Sequence, residues 1–201
     1  MKHVVTLCAL LAVMAAPAMA DAPFAPPTPL LDPTTARPGP SVVAQTFKLN
    51  GVKGTLEKTT FAEVQKRFGG QVTRQGEAGN ALSWLCYDLP VQHVRVWLTS
   101  DELHGHRLIS GVTIWTVASP AESPNCPVPT GAQAAQLDGI SPGQDLRAIE
   151  ARFGAPGLMK GGWSAYFHVS KIGKFDEQDH LVLNSDNGRV SHLQGGRETT
   201  N

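Results

Sequence analysis

The triplet Arg-Phe-Gly occurs twice, at residues 67–69 and 152–154, each time at the end of a helical pattern, and this doubled terminator constrains the fold more than any other feature. In the first stretch, TFAEVQKRFGG, Phe61, Val64 and Phe68 fall at i, i+3 and i+7 and share one helix face. Thr60 and Glu63 have the spacing of a capping box, and Gly69 supplies the left-handed stop. The second stretch, DLRAIEARFGAP, repeats the plan with Leu146, Ile149 and Phe153 as the stripe, Asp145 at the cap, Gly154 at the stop and Pro156 beyond. Arg67 and Arg152 each precede the stop, where a cation suits the negative helix end.

The two helices are followed by matching text. NALSWLCYDL, VRVWLTS and RLISGVTIWTV after the first, and GWSAYFHVS, HLVLNS and GRVSHLQ after the second, have strand composition; SDNG between the last two is a hairpin signal. Trp84 aligns with Trp163 and Tyr87 with Tyr166 at a common offset of 79. The expected fold class is therefore α+β: two tandem helix-plus-antiparallel-sheet units, with the helices packed on one sheet face. The units are placed at residues 42–118 and 134–197, joined by a linker at 119–133 that carries Cys126.

Gly143, Asp145, Ile149, Phe153, Gly154 and Pro156, followed by an aromatic strand and by Gly188-Arg189-Val190, resemble the short repeat of the SmpA/OmlA (BamE) envelope proteins. The layout is also similar to the tandem units of the β-lactamase inhibitory protein. The match covers about 60 residues of the second unit; the first departs from it, since Lys58 stands where the leading glycine would be. The resemblance implies a non-enzymatic fold that binds proteins in the envelope.

Residues 1–20 have a basic start at Lys2, an apolar run over 4–16 and an Ala-Met-Ala ending, which together read as a secretory signal peptide cleaved after Ala20. Cys8 lies inside that run behind Leu7, so lipidation is not expected. The expected location is periplasmic or secreted. In such a compartment the two remaining cysteines, Cys86 and Cys126, are most simply one disulfide; a catalytic thiol at Cys86 with a histidine partner is the weaker alternative. Residues 21–41 hold a dense run of prolines without periodicity and read as a disordered spacer, with a polyproline ligand as the lesser reading. Basic and acidic residues balance at 17 each without a basic block, which argues against nucleic acid as partner. No second run of membrane-spanning length follows, so stable membrane insertion is not expected.

No nucleophile elbow, P-loop, dinucleotide fingerprint, His-Glu-x-x-His or Cys-x-x-Cys occurs, and neither a cofactor nor an enzymatic activity is expected. Alternation on the strands turns Val94, Val96 and Leu98 toward the helix, and likewise Leu108, Val112 and Ile114. Arg95, Trp97 and Trp115 then point away, and the same logic, with Trp163, Ala165 and Phe167 taken as core, sends Tyr166 out with them. Arg95, Trp97, Trp115 and Tyr166 are the candidate binding residues, because aromatic and arginine anchors dominate protein interfaces. The expected partner is a protein, either one that this chain inhibits or an envelope assembly component. The alternative is a metal site on His168, His180 and His192, whose meeting depends on strand register. A lesser candidate is the loop DELHGHR, where His104 and His106 stand beside Asp101 and Glu102.

Overall fold

Both helices form where their caps place them. In α1 (Phe61–Phe68) the Thr60 hydroxyl accepts from the Glu63 amide at 3.2 Å while the Glu63 carboxylate accepts from the Thr60 amide at 2.7 Å, which is the expected capping box. In α2 (Leu146–Phe153) the Asp145 carboxylate accepts from the Arg147 amide at 2.8 Å. Gly69 and Gly154 end the two helices at φ 71° and 82°, a region that a residue with a Cβ rarely enters. The computed structural model describes residues 24–28, 31–39, 41, 43–77, 80–118, 124–131 and 133–200. The expected leader at residues 1–20 lies outside them.

The strands are β1 (Thr46–Leu49), β2 (Val52–Thr55), β3 (Thr73–Gln75), β4 (Leu82–Leu89), β5 (Val94–Asp101), β6 (Gly111–Thr116), β7 (Ala135–Leu137), β8 (Leu158–Lys160), β9 (Trp163–Ile172), β10 (Phe175–Asp186) and β11 (Arg189–Thr200). Eight of them form one antiparallel sheet in the order β3-β4-β5-β6-β11-β10-β9-β8, and β2-β1-β7 form a second, small sheet.

This corrects the expected fold class. The protein is mostly β, with two helices among the described residues, each of eight residues. The strands on either side of the linker are not separate sheets, because β6 pairs with β11 from Trp115 opposite His192 to Gly111 opposite Gly196. Nor is there a helical layer, since an eight-residue helix is only about 12 Å long and cannot roof a sheet of this width. The small sheet supplies much of the cover instead: Phe47, Leu49, Ala135 and Leu137 join Phe61, Val64, Ile149 and Phe153 over the large sheet's core face. The physical reason for the difference is pairing range. Periodicity shows which residues are strands, while the joining of β6 to β11 depends on partners far apart in sequence.

The core face is lined by Leu85, Tyr87 and Leu89 on β4, Val94, Val96 and Leu98 on β5, Val112 and Ile114 on β6, Leu181 and Leu183 on β10 and Leu193 on β11, so one core draws on both halves of the chain. The two helices meet this face alike. The Phe68 ring lies 6.0 Å from Tyr87, and Phe153 lies 6.0 Å from Tyr166. Each helix start also docks on a hairpin end, with Phe61 N–H bonded to Arg107 O and Leu146 N–H bonded to Gly188 O.

A disulfide joins Cys86 to Cys126 across a sequence separation of 40, with the Cα atoms 4.6 Å apart. It anchors the segment after residue 123 along the part of β4 that β3 leaves unpaired, where Asp88 N–H also donates to Pro127 O. Such a bond suits an oxidising compartment. Among the described residues no helix is long and apolar enough to cross a membrane.

Candidate binding face

The second face of the large sheet is built by the residues that alternate with the core set. It carries all four tryptophans of the chain: Trp84 on β4, Trp97 on β5, Trp115 on β6 and Trp163 on β9. Register aligns their neighbours into a transverse line. Asp88 lies opposite Arg95, Arg95 opposite Trp115, Trp115 opposite His192, His192 opposite Asn184, Asn184 opposite Trp163, and Trp163 opposite Lys160. A neighbouring line runs through Cys86, Trp97, Thr113, Gln194, Val182 and Ala165.

Contacts within the first line fix the rings. The Trp115 and His192 centroids are 3.9 Å apart edge to face, and Trp163 lies 5.8 Å from Trp115 and 6.2 Å from His192. Desolvation lowers the His192 pKa, and its Nδ1 is buried without a hydrogen-bond partner. Arg95 Nε and Nη2 donate to Asp88 Oδ1 and Oδ2 at 2.6 and 2.9 Å, a bidentate pair on a carboxylate that is 1% exposed.

Over this face runs the N-terminal segment. Trp97 Nε1–H donates to the Phe24 carbonyl at 2.8 Å, and the Phe24 ring lies 4.6 Å beneath the Arg95 guanidinium carbon. Further on, Leu31 and Ala36 are buried among Trp163, Ala165, Phe167 and Val182, and the turn Pro33–Thr35 lies against β9 and β10. Pro38 then bridges to Phe167, with Gly39 N–H bonded to Phe167 O at 2.6 Å, and the chain passes round the β9 edge to Val43 and Ala44 in the core.

Of the residues singled out from sequence, Arg95, Trp97 and Trp115 come together on this face; Trp97 is buried and Trp115 half-buried. Tyr166 does not join them. It faces the core against Phe153, where burial pushes its phenol up to about 12, because Trp163, Ala165 and Phe167 turn toward the N-terminal segment instead. Asp88 and Phe24, which no sequence signal marks, complete the face together with His192, expected as a metal ligand; all three are brought in by register or by a long-range contact that strand alternation does not reveal.

The three histidines of the metal alternative do not converge. His168 lies opposite Asp179 and shares the core side with it, its Nδ1 2.9 Å from Gly39 O. His180 lies opposite Gly196 on the tryptophan side, with its ring over that glycine: a Cβ there would stand 2.6 Å from His180 Cε1. Burial pushes the His180 pKa down to about 4. His192 is four positions away on β11, opposite Asn184. Among the described residues no group of three or more histidine, cysteine or acidic side chains is set to hold a metal.

The loop histidines are committed elsewhere. His104 Nδ1 lies 2.5 Å from Asp101 Oδ1 and its Nε2 2.7 Å from Glu57 Oε1, and the hydrogen bonds to Asp101 and Glu57 push its pKa up to about 9. Glu57 also accepts from Thr199 at 2.9 Å, and close by on β11 Arg197 bridges Asp179 and Glu177 at 2.7 and 3.0 Å. These bonds tie the β5–β6 loop, the β2–α1 turn and β11 into one polar clasp. His106 Nδ1 lies 3.1 Å from Ser83 Oγ.

No protein-family model matches the chain, and no curated protein matches it. Among solved structures, a candidate β-lactamase inhibitor protein from Streptococcus mutans aligns over 71% of this chain and 83% of its own, at 10% identity and a TM-score of 0.25. At that score the superposition is too loose to carry fold or function.

Proposed function

We propose that this chain is an exported, non-enzymatic protein-binding module whose recognition surface is the tryptophan face, with Arg95, Trp97 and Trp115 at its centre. The observation that carries the reading is the gathering of every tryptophan on the sheet face turned away from the core, in register with a bidentate Arg–Asp pair. The core on the opposite face is filled without a tryptophan; large amphipathic rings beside a fixed guanidinium are what interfaces select. An inhibitor of an extracellular enzyme and an envelope assembly factor would both use such a face. In this reading the leader at residues 1–20 delivers the chain to the compartment where Cys86 and Cys126 oxidise.

The test is site-specific photocrosslinking in the native compartment. A photoreactive residue in place of Trp115 is expected to give a discrete adduct, and one in place of the exposed Arg147 on α2 is expected to give none. An adduct from position 147 without one from position 115 would move the surface to the helix side and overturn the assignment.

A further inference from the structure

The tryptophan face is not bare, and what covers it indicates what it can hold. Residues 24–28 and 31–36 lie over it, with a turn at Phe24, a single 3-10 turn at Pro33–Thr35 and prolines at 26, 27 and 33. Their hold on it is made of side chains and one indole: Trp97 donates to the Phe24 carbonyl, Arg95 lies over the Phe24 ring, and Leu31 and Ala36 sit among the β9 and β10 side chains. An indole N–H given to a peptide carbonyl, beside aromatic walls, is how grooves take polyproline segments. Among the described residues, backbone hydrogen bonds between this strap and the rest of the chain occur only at its far end, from Arg37 to Gly157 and from Gly39 to Phe167. Among the described residues, the part lying over the tryptophans makes no backbone hydrogen bond to a strand. Beside it a cleft of about 620 Å³ stays open between Phe24, Pro26 and Thr28 on one side and Gln75, Asn80 and Trp84 on the other.

We infer that the tryptophan face is a groove for a proline-containing segment of the partner, and that the strap of residues 24–28 and 31–36 occupies it internally until that segment displaces it. This rests on the reading of the face as the partner surface and adds the partner's chemistry and a competition to it. A strap without ladder bonds has a low local opening energy, as displacement requires. Its tether at Pro38 and Gly39 keeps it close, so the strap acts at a high effective concentration and sets a threshold for the incoming peptide.

The experiment uses the full-length protein and a fluorescent peptide with the sequence of residues 21–39, DAPFAPPTPLLDPTTARPG. Binding is followed by anisotropy and by emission of the tryptophans, all of which lie on the face concerned. A loosened chain, Phe24→Ala with Leu31→Ala, is expected to bind the peptide at least tenfold more tightly than the unaltered chain. A control peptide with its prolines replaced by serine should lose most of that binding. Adding Trp97→Phe to the loosened chain is expected to weaken it about fivefold to tenfold, the measure of one hydrogen bond. Equal affinity for the loosened and unaltered chains, or no saturable binding to either, would overturn the inference. Hydrogen exchange on the unaltered protein is an independent check, because amides of residues 24–28 and 31–36 must exchange far faster than those of β4 and β5. If they are protected to the same degree, the strap is a fixed part of the fold. Absence of peptide binding together with a persistent adduct at position 115 would remove the strap mechanism and leave the binding face standing; peptide binding without an adduct would do the reverse.

Discussion

At His104 both ring nitrogens meet a carboxylate, so the imidazolium is the form that the geometry selects. Its pKa is raised to about 9 from the ordinary 6.5, so the stabilisation it gives is fully present below about 6.5 and is lost as pH rises through about 9. Burial alone would raise Glu57 and Asp101, but hydrogen bonds from His104 hold both carboxyls below the usual carboxylate range. Their contribution is present above that range and is lost as pH falls below it. The clasp is therefore strongest between roughly pH 5 and 6.5. Water beside Asp101, whose side chain is 40% exposed, screens part of the attraction. His104→Ala is expected to destabilise the protein by about 2 kcal/mol at pH 7. The difference from the unaltered chain, read from urea midpoints, should shrink markedly at pH 10; an equal difference at both pH values would show that the histidine acts through packing and not charge.

At the scale of elements, the seam between β6 and β11 decides the architecture, and glycine decides the seam. A Cβ at Gly195 would stand 2.7 Å from Ala44 Cβ and from Leu137 Cδ2 and 3.0 Å from the His180 carbonyl, so the small sheet and the neighbouring strand both press on that position. At Gly111 the first atom met is Thr99 Oγ1, the end of a side chain that can turn aside. Gly195→Ala is therefore expected to cost about 1–3 kcal/mol through overpacking, and Gly111→Ala distinctly less, as comparison of their thermal midpoints would reveal. The same seam shows what the sequence carried. The helix caps at Thr60–Glu63 and Asp145, the stops at Gly69 and Gly154 and the outward turn of Arg95, Trp97 and Trp115 all depend on residues within one or two turns or pleats, and they were legible. Tyr166 faces the core, against expectation, because alternation says only that Tyr166 and Phe167 face opposite ways, and both faces of β9 are buried over Trp163–Phe167. The histidines failed to meet for a related reason: pairing Asn184 with His192 leaves His180 opposite Gly196. The strap was hidden because nothing periodic marks a proline-rich segment as seated.

At the scale of the whole molecule, the question is whether the doubled helix ending makes a protein that folds as two pieces. Joined strands and a shared core argue for one. Phe47, Phe61 and Leu98 from the first half lie in the same buried cluster as Leu137, Ile149 and Leu193 from the second, and the β6–β11 ladder crosses between the halves. Opening either half alone would strip the other's core and leave a strand edge unpaired, so neither half has a low-energy open state of its own. Thermal unfolding should therefore be a single transition, with calorimetric and van 't Hoff enthalpies equal. The disulfide offers the sharper probe, because both of its cysteines lie on the tryptophan face, outside that shared core. Replacing Cys86 and Cys126 with serine is expected to lower stability by about 2–4 kcal/mol and to move the midpoint down without dividing the transition. Two resolved transitions in the unaltered chain, or the appearance of a second on losing the disulfide, would mean that the seam is weaker than its pairing implies and that the halves fold as separate units.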